Sequence, residues 1–283
     1  MVRWSRARTS AGQSFVFAEC GQGPLVVFWH GFPDTPHSWS GIMGKVAAAG
    51  YRAVAPWLRG YHPETVVDGL GYGPLELAQE TGKLLDALGE RDAVLVGHDW
   101  GGILAYGAAS LAPERIRALV PVSFPLPTLI PRTPVFFWTV RHIARLKLPL
   151  ATESLRRGDF SYVDKLYRRW APNWSGPTRD HAIAEVKSCF RNPASLEAAI
   201  QYYRDMSPRT PPELTHAPTM PGLVVGGTND LAPPGTIERT AAALGDDWDH
   251  LILDGAGHWP HLENEPVFID RLLDFLRTLP RPA

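Results

Sequence analysis

The stretch VLVGHDWGGILAYG occupies residues 94–107 and changes character at its middle. Its first part, V-L-V-G, is an apolar run of the kind that forms a buried strand. Its last part opens an alanine-rich segment that reads as a helix. Between the two, Gly97 and Gly101 flank Asp99 two residues away on either side. Strand, sharp turn and helix in that order form a nucleophile elbow, whose tight turn needs small residues beside a strained central one. Such a turn lifts the Asp99 side chain out at the carboxyl end of the sheet, where open α/β folds build their sites. The N-terminus of the following helix favours an ionised carboxylate. Aspartate is also a good helix N-cap, so the stretch by itself equally admits a structural Asp99.

Partners elsewhere in the chain decide between these readings. A carboxylate attacks amide and ester carbonyls poorly. It attacks an sp³ carbon with a strained or good leaving group well enough to leave an alkyl-enzyme ester. Hydrolysis of that ester needs a base to activate water, and donors for the oxyanion that develops on the aspartate carbonyl. His258, in LDGAGHWPHLENEP, follows the last apolar run, where Gly255 and Gly257 let the loop bring its imidazole over the elbow. His261 is its neighbouring rival. Asp230, in VVGGTNDLAPP, lies just past the run 222–227 and is the candidate orienting acid. Asp254 competes for that role but lies too near His258 in sequence. Asp99, Asp230, His258 is the chain order of nucleophile, acid and base expected for a triad on a strand–turn–helix elbow. HGFP at 30–33 ends another apolar run, which makes the N–H of Phe32 one oxyanion donor and that of Trp100 the other.

Further apolar runs, at 25–30, 51–56, 93–97, 118–122, 222–227 and 250–255, read as strands. They are apolar throughout rather than alternating, which predicts a mostly parallel sheet covered on both faces. Helical patterns at 75–89 and 267–279 lie among them, so the fold class is α/β, doubly wound. From 125 to 213 no strand is evident, and proline clusters at 125–134 and 207–221 flank the segment. The expected organisation is therefore a core of residues 1–124 and 214–283, with 125–213 inserted as a helical cap. A continuous domain with a long helical crossover is the plainer alternative.

The 283 residues carry 28 Lys and Arg against 29 Asp and Glu, a formal net charge of −1 without a long basic run. Nucleic acid and anionic membrane surfaces are poor partners for such a chain. No apolar run reaches the roughly 20 residues of a membrane helix, and the N-terminal residues do not form a signal peptide. Cys20 and Cys189 match no ligand spacing and are expected as reduced thiols of a cytoplasmic protein, a monomer or homodimer. With no phosphate loop, dinucleotide fingerprint or metal cluster, neither cofactor nor metal is expected.

Taken in order, HGFPDTPHSW, APWLRGY, VGHDWGG, GGTNDLAPP and GAGHWPHLENEP resemble the α/β-hydrolase superfamily from about residue 14 to the C-terminus, least so in the cap. The aspartate nucleophile and HGFP resemble its epoxide hydrolase branch. The resemblance implies that Asp99 opens an apolar epoxide and that water, activated by His258 with Asp230, releases a vicinal diol. It also implies two cap tyrosines as acids. QYYRDM at 201–206 supplies Tyr203 as one. Where the other is expected, VRHIARLKLP at 140–149 has no tyrosine and offers His142 instead. Tyr162 and Tyr167 are alternatives, as is Tyr203 acting alone. Haloalkane dehalogenases share the aspartate and the Trp after it, here Trp100, and Trp138, Trp170 or Trp174 could be a second halide donor. A non-catalytic, ligand-binding relative is the third reading.

Overall fold

The computed structural model describes residues 2–67, 69–131, 133–207 and 209–280. Eight strands form one sheet: β1 (Arg3–Arg8), β2 (Ser14–Cys20), β3 (Leu25–Trp29), β4 (Arg52–Pro56), β5 (Ala93–His98), β6 (Ile116–Val122), β7 (Gly222–Gly227) and β8 (Trp248–Leu253). Their spatial order is β1-β2-β4-β3-β5-β6-β7-β8. All pairings from β4 through β8 are parallel, while β1 with β2 and β2 with β4 are antiparallel. The six parallel strands are the apolar runs expected, displaced at their ends by one or two residues.

Successive residues of these strands serve opposite cores. Val27, Leu95, Leu119 and Val224 pack toward one face, with helices Glu80–Leu88, Trp100–Leu111 and Thr236–Leu244. Val26, Val94, Val96, Val120 and Val225 pack toward the other, with helices Ser40–Ala48 and Glu265–Thr278. Each fully buried aliphatic side chain contributes about 1.5–3 kcal/mol relative to exposure, so a strand apolar on both faces is held from both sides.

The chain runs from β3 outward to β4, then returns to place β5 on the other side of β3. Strand order therefore reverses between β3 and β5, and their carboxyl ends leave a crevice there. The HGFP loop leaves β3 and the elbow leaves β5, so both empty into it.

Between β6 and β7 the described residues hold no strand. They form helices Pro134–Thr139, His142–Leu146, Ala151–Trp170, Pro177–Arg191 and Pro193–Arg204. The Ala151–Trp170 helix is broken where Gly158, Asp159 and Phe160 take left-handed φ values of 59°, 49° and 58°. Asp159 is steadied by Arg191 at 3.0 Å. Trp170, Phe190 and Tyr202 of this segment join the larger of the two cores.

Two elements differ from the sequence reading. The helix expected at 75–89 turns at Gln79 into Pro74–Ala78 and Glu80–Leu88. The β1–β2 hairpin has no counterpart among the apolar runs, because β1 (RWSRAR) is an exposed edge strand with almost no apolar signal. Both cysteines are unpaired. Among the described residues, no helix is long and apolar enough to cross a membrane.

Candidate active site

Asp99 sits between β5 and helix Trp100–Leu111 with φ 52° and ψ −113°. A non-glycine residue held at positive φ costs on the order of 1–3 kcal/mol and persists only where its surroundings enforce it. Here the enforcement is close packing. A Cβ on Gly97 would lie 2.2 Å from the Gly101 carbonyl oxygen, and one on Gly101 would lie 2.3 Å from that of Trp29. Asp99 occupies the N-cap position, yet its carboxylate makes no capping bond to the helix. Instead Oδ1 accepts the backbone N–H of Phe32 at 2.8 Å. The purely structural N-cap role is thereby removed.

The Phe32 donor is aimed by its own loop. His30 accepts the N–H of Leu58 on Nε2 at 3.0 Å and contacts the Gly31 carbonyl through Nδ1 at 3.0 Å. Gly31 lies so near the nucleophile that a Cβ there would be 2.5 Å from Asp99 Cβ. The Phe32–Pro33 bond is cis. The second expected donor, the N–H of Trp100, makes no hydrogen bond to the carboxylate in this state.

His258 lies beyond β8, buried, with Nδ1 2.8 Å from Asp230 Oδ1 and Nε2 3.5 Å from Asp99 Oδ2. Asp230 follows β7 and is itself buried; the same Oδ1 also accepts the N–H of Leu231. Three contacts fix the imidazole. Its backbone N–H donates to the Trp170 carbonyl at 2.8 Å, its carbonyl accepts from His98 Nε2 at 2.7 Å, and Trp170 meets its ring edge-on at 5.1 Å. His98, beside Asp99 in sequence, thus ties the elbow to the loop of His258. The motif contains it, but no local pattern marks that role.

Charge within this group is strongly coupled. Burial alone disfavours protonated His258, but Asp230 and then Asp99 override it and push its pKa up to about 10. Burial likewise opposes ionised Asp99, and His258, His98 and the Phe32 N–H outweigh it, holding the carboxyl below its ordinary value. The resting pair is therefore carboxylate and imidazolium.

Above Asp99 and His258 lies a cavity of about 530 Å³, with Trp100, Ile103, Phe124, Phe136, Phe137, Val140, Leu231, His142 and Tyr203 in its wall. Tyr203, from helix Pro193–Arg204, is buried, edge-on to Phe32 at 5.0 Å and to Trp100 at 5.4 Å. Burial, then the Asp99 charge, raise its phenol well above the usual range. His142 is buried with its ring 5.7 Å from that of Tyr203 and 4.5 Å from Trp170. Burial drives its pKa down to about 3, so it is a neutral imidazole near pH 7.

The sequence profile of the alpha/beta hydrolase family matches residues 26–271. An epoxide hydrolase of Caballeronia sordidicola is 33% identical over 95% of this chain and 92% of its own length. The chain belongs to the α/β-hydrolase family, in its epoxide hydrolase branch. Epoxide hydrolase A of Mycobacterium tuberculosis is 29% identical over 90% of this chain and 91% of its own. The crystal structure of epoxide hydrolase A from Mycobacterium thermoresistibile superposes with a TM-score of 0.81 at 25% identity, covering 100% of both chains.

Within this family frame, the rivals left open by sequence separate by position. The Tyr167 hydroxyl donates to the Pro33 carbonyl at 2.9 Å, its ring stacked on Trp259 at 4.0 Å, so it is engaged away from the cavity. Tyr162 lies under the Arg145 guanidinium at 4.4 Å and does not line the cavity. His261 stacks on Trp39 at 4.3 Å and does not line the cavity. Asp254 meets Thr228 at 3.3 Å at an exposed position. Of the tryptophans, Trp138 is 71% exposed, while Trp170 and Trp174 are buried outside the cavity wall.

Proposed function

We propose that this chain hydrolyses an apolar epoxide to a vicinal diol through a covalent ester on Asp99. The observation that carries this is the orientation of one carboxylate: Oδ1 is held by the Phe32 N–H, and Oδ2 faces His258 below an apolar cavity. Oδ2 attacks an oxirane carbon in line, the C–O bond of the ring breaks, and Oδ1 becomes the ester carbonyl oxygen. Tyr203 gives its proton to the leaving alkoxide. We assign His142 as the second donor, acting through the N–H of its neutral ring.

Formation of the ester resets the base. Asp99 loses its charge, so one of the two carboxylates that hold the proton on His258 is gone. His258 then releases that proton toward the deprotonated acid, and its neutral Nε2 takes one from water as the water attacks the ester carbonyl. The oxyanion on Oδ1 meets the Phe32 N–H already in place, and the shorter approach of Trp100 N–H belongs to this step. Collapse restores Asp99 and frees the diol. Asp230 keeps the imidazole in the correct tautomer throughout.

The proposal takes residues 125–213 as a cap supplying Tyr203 and His142, over a core of 1–124 and 214–283. It places the enzyme in the cytoplasm as a monomer or homodimer, which fractionation and size-exclusion chromatography test. A paired assay tests the activity. A styrene-type epoxide should yield diol, and 1-bromoalkanes should yield little bromide. Halide release without diol would instead favour a dehalogenase, a reading the cavity supports poorly because Trp100 is the one tryptophan in its described wall.

A further inference from the structure

Behind the catalytic residues lies a second polar cluster that takes no chemical step in the scheme above. Asp34, His98 and His261 are buried, at 2%, 0% and 0% exposure. Taking one ligand atom from each, the three atoms lie within 4.8 Å of one another. Asp34 Oδ2 and His98 Nδ1 are 3.5 Å apart. Among the described residues, three buried ring nitrogens here, His98 Nδ1 and both nitrogens of His261, have no hydrogen-bond partner.

Hydrogen-bond logic sharpens the problem. His98 Nε2 lies 2.7 Å from the His258 carbonyl, which can only accept, so Nε2 carries the hydrogen. The other nitrogen of His98, Nδ1, points at Asp34 Oδ2 at 3.5 Å and presents it a lone pair wherever that nitrogen carries no hydrogen. Asp34 Oδ1 accepts the Thr35 N–H at 2.7 Å and Oδ2 the Ser38 hydroxyl at 3.1 Å, which leaves one lone pair on Oδ2 toward Nδ1, and two buried lone pairs that face each other are relieved by an electropositive centre between them. One ring nitrogen of His261 lies within 4.8 Å of both, and among the described residues neither of its nitrogens has another partner. Neither imidazole can turn away: Trp39 stacks on His261 at 4.3 Å, and the His258 carbonyl pins His98.

We propose that Asp34, His98 and His261 form a buried site for one divalent first-row transition-metal ion, of which Zn²⁺ suits the donors best. Two imidazole nitrogens and one carboxylate are a common ligand set for such ions. Ligands at about 2.0–2.1 Å in tetrahedral geometry sit roughly 3.4 Å apart, close to the Asp34–His98 separation, while the full set spans up to 4.8 Å and has to draw in on the ion. His98 donating its other N–H to a backbone carbonyl is the usual outer partner of a ligating histidine. The three ligands come from the loop that carries the Phe32 N–H, the elbow that carries Asp99 and the short helix Pro260–Glu263 that follows the His258 loop. The ion is a structural pin joining these three, and it takes no part in turnover. The dispersed positions 34, 98 and 261 explain why no ligand spacing is visible in the sequence.

The test uses the full chain and reads metal rather than turnover, so it stands apart from the hydrolase reading. Protein expressed in zinc-supplemented medium and dialysed against EDTA should retain about one Zn²⁺ per chain by elemental analysis, since the buried ligands release it slowly. Chain unfolded with chelator should refold with a higher melting temperature in Zn²⁺ than in EDTA, and Co²⁺ refolding should give visible d–d bands of a low-coordinate site. His261→Gln and, separately, Asp34→Asn should lose the ion and the Zn²⁺-dependent rise in melting temperature. Metal-free wild type whose refolding ignores Zn²⁺ overturns the proposal and leaves a shared proton between Asp34 and His98. Unchanged stoichiometry in both variants overturns it too, by putting the ion elsewhere.

Discussion

His258 Nε2 stands 3.5 Å from Asp99 Oδ2, at ion-pair distance but beyond a hydrogen bond. In the proposed scheme His258 therefore faces Asp99 without being needed for its attack. Phe32 holds the carboxylate independently of His258. His258→Gln should form the alkyl ester and fail to hydrolyse it. Intact mass should rise by the mass of one epoxide, mapped to the Asp99 peptide, while steady-state turnover falls about 10²–10⁴-fold. Unmodified protein after incubation with an epoxide the wild type turns over would sink the covalent scheme.

The acids are separated by single-turnover ring opening. Tyr203→Phe should slow ester formation by about 10²–10⁴-fold, as expected when a positioned acid is removed. His142→Phe should slow it less, and His142→Gln should recover part of the loss because its amide still donates. Tyr167→Phe is the control: its hydroxyl serves Pro33, so ring opening should hold while stability drops by about 1 kcal/mol. A Tyr167→Phe rate as low as that of Tyr203→Phe would move the acid role to Tyr167.

What sequence alone revealed depended on how local each signal was. Six strands were legible because burial on both faces made them apolar throughout, and Gly97, Asp99 and Gly101 announced the elbow for reasons of steric closeness. β1 was not legible, since an exposed edge strand needs no apolar run. The left-handed break at 158–160 has only Gly158 as a signal; Asp159 and Phe160 follow for tertiary reasons. The choice among His142, Tyr162 and Tyr167 depended on which helix face met the cavity, and His258 against His261 on which ring Trp39 claimed.

Acid should destabilise the fold through His30 and His142, whose burial lowers their pKa values to about 4 and about 3. In the unfolded chain both titrate near 6.5. Below that pH the unfolded state binds more protons, so stability is full above pH 6.5 and is lost as pH falls toward the folded values. Each group alone changes stability by about 1.4 kcal/mol per pH unit in that window. For His30 the structural cause is visible: a proton on Nε2 evicts the Leu58 N–H. Urea unfolding at pH 7.5, 6 and 5 should show a shallower loss for His30→Asn than for wild type. Parallel slopes would remove His30 from the acid response.

Gly31→Ala probes whether the oxyanion loop and the nucleophile are fitted to each other. The added Cβ would stand 2.5 Å from Asp99 Cβ and 2.6 Å from its Oδ1, the atom that accepts the Phe32 N–H. Relief requires the loop to move away from the elbow, which separates the donor from the carboxylate. Losing one oxyanion donor costs about 10²–10³ in rate, so ester hydrolysis should fall by at least that factor. The sheet beneath is held by the β3–β4 and β3–β5 pairings, so far-ultraviolet circular dichroism should stay close to wild type. Gly97→Ala differs, because its Cβ would meet the Gly101 backbone at 2.2 Å and open the turn itself. That variant should lose folded protein rather than rate per folded molecule. A folded Gly31→Ala enzyme with wild-type single-turnover hydrolysis would show that the Phe32 N–H is not the donor the ester uses.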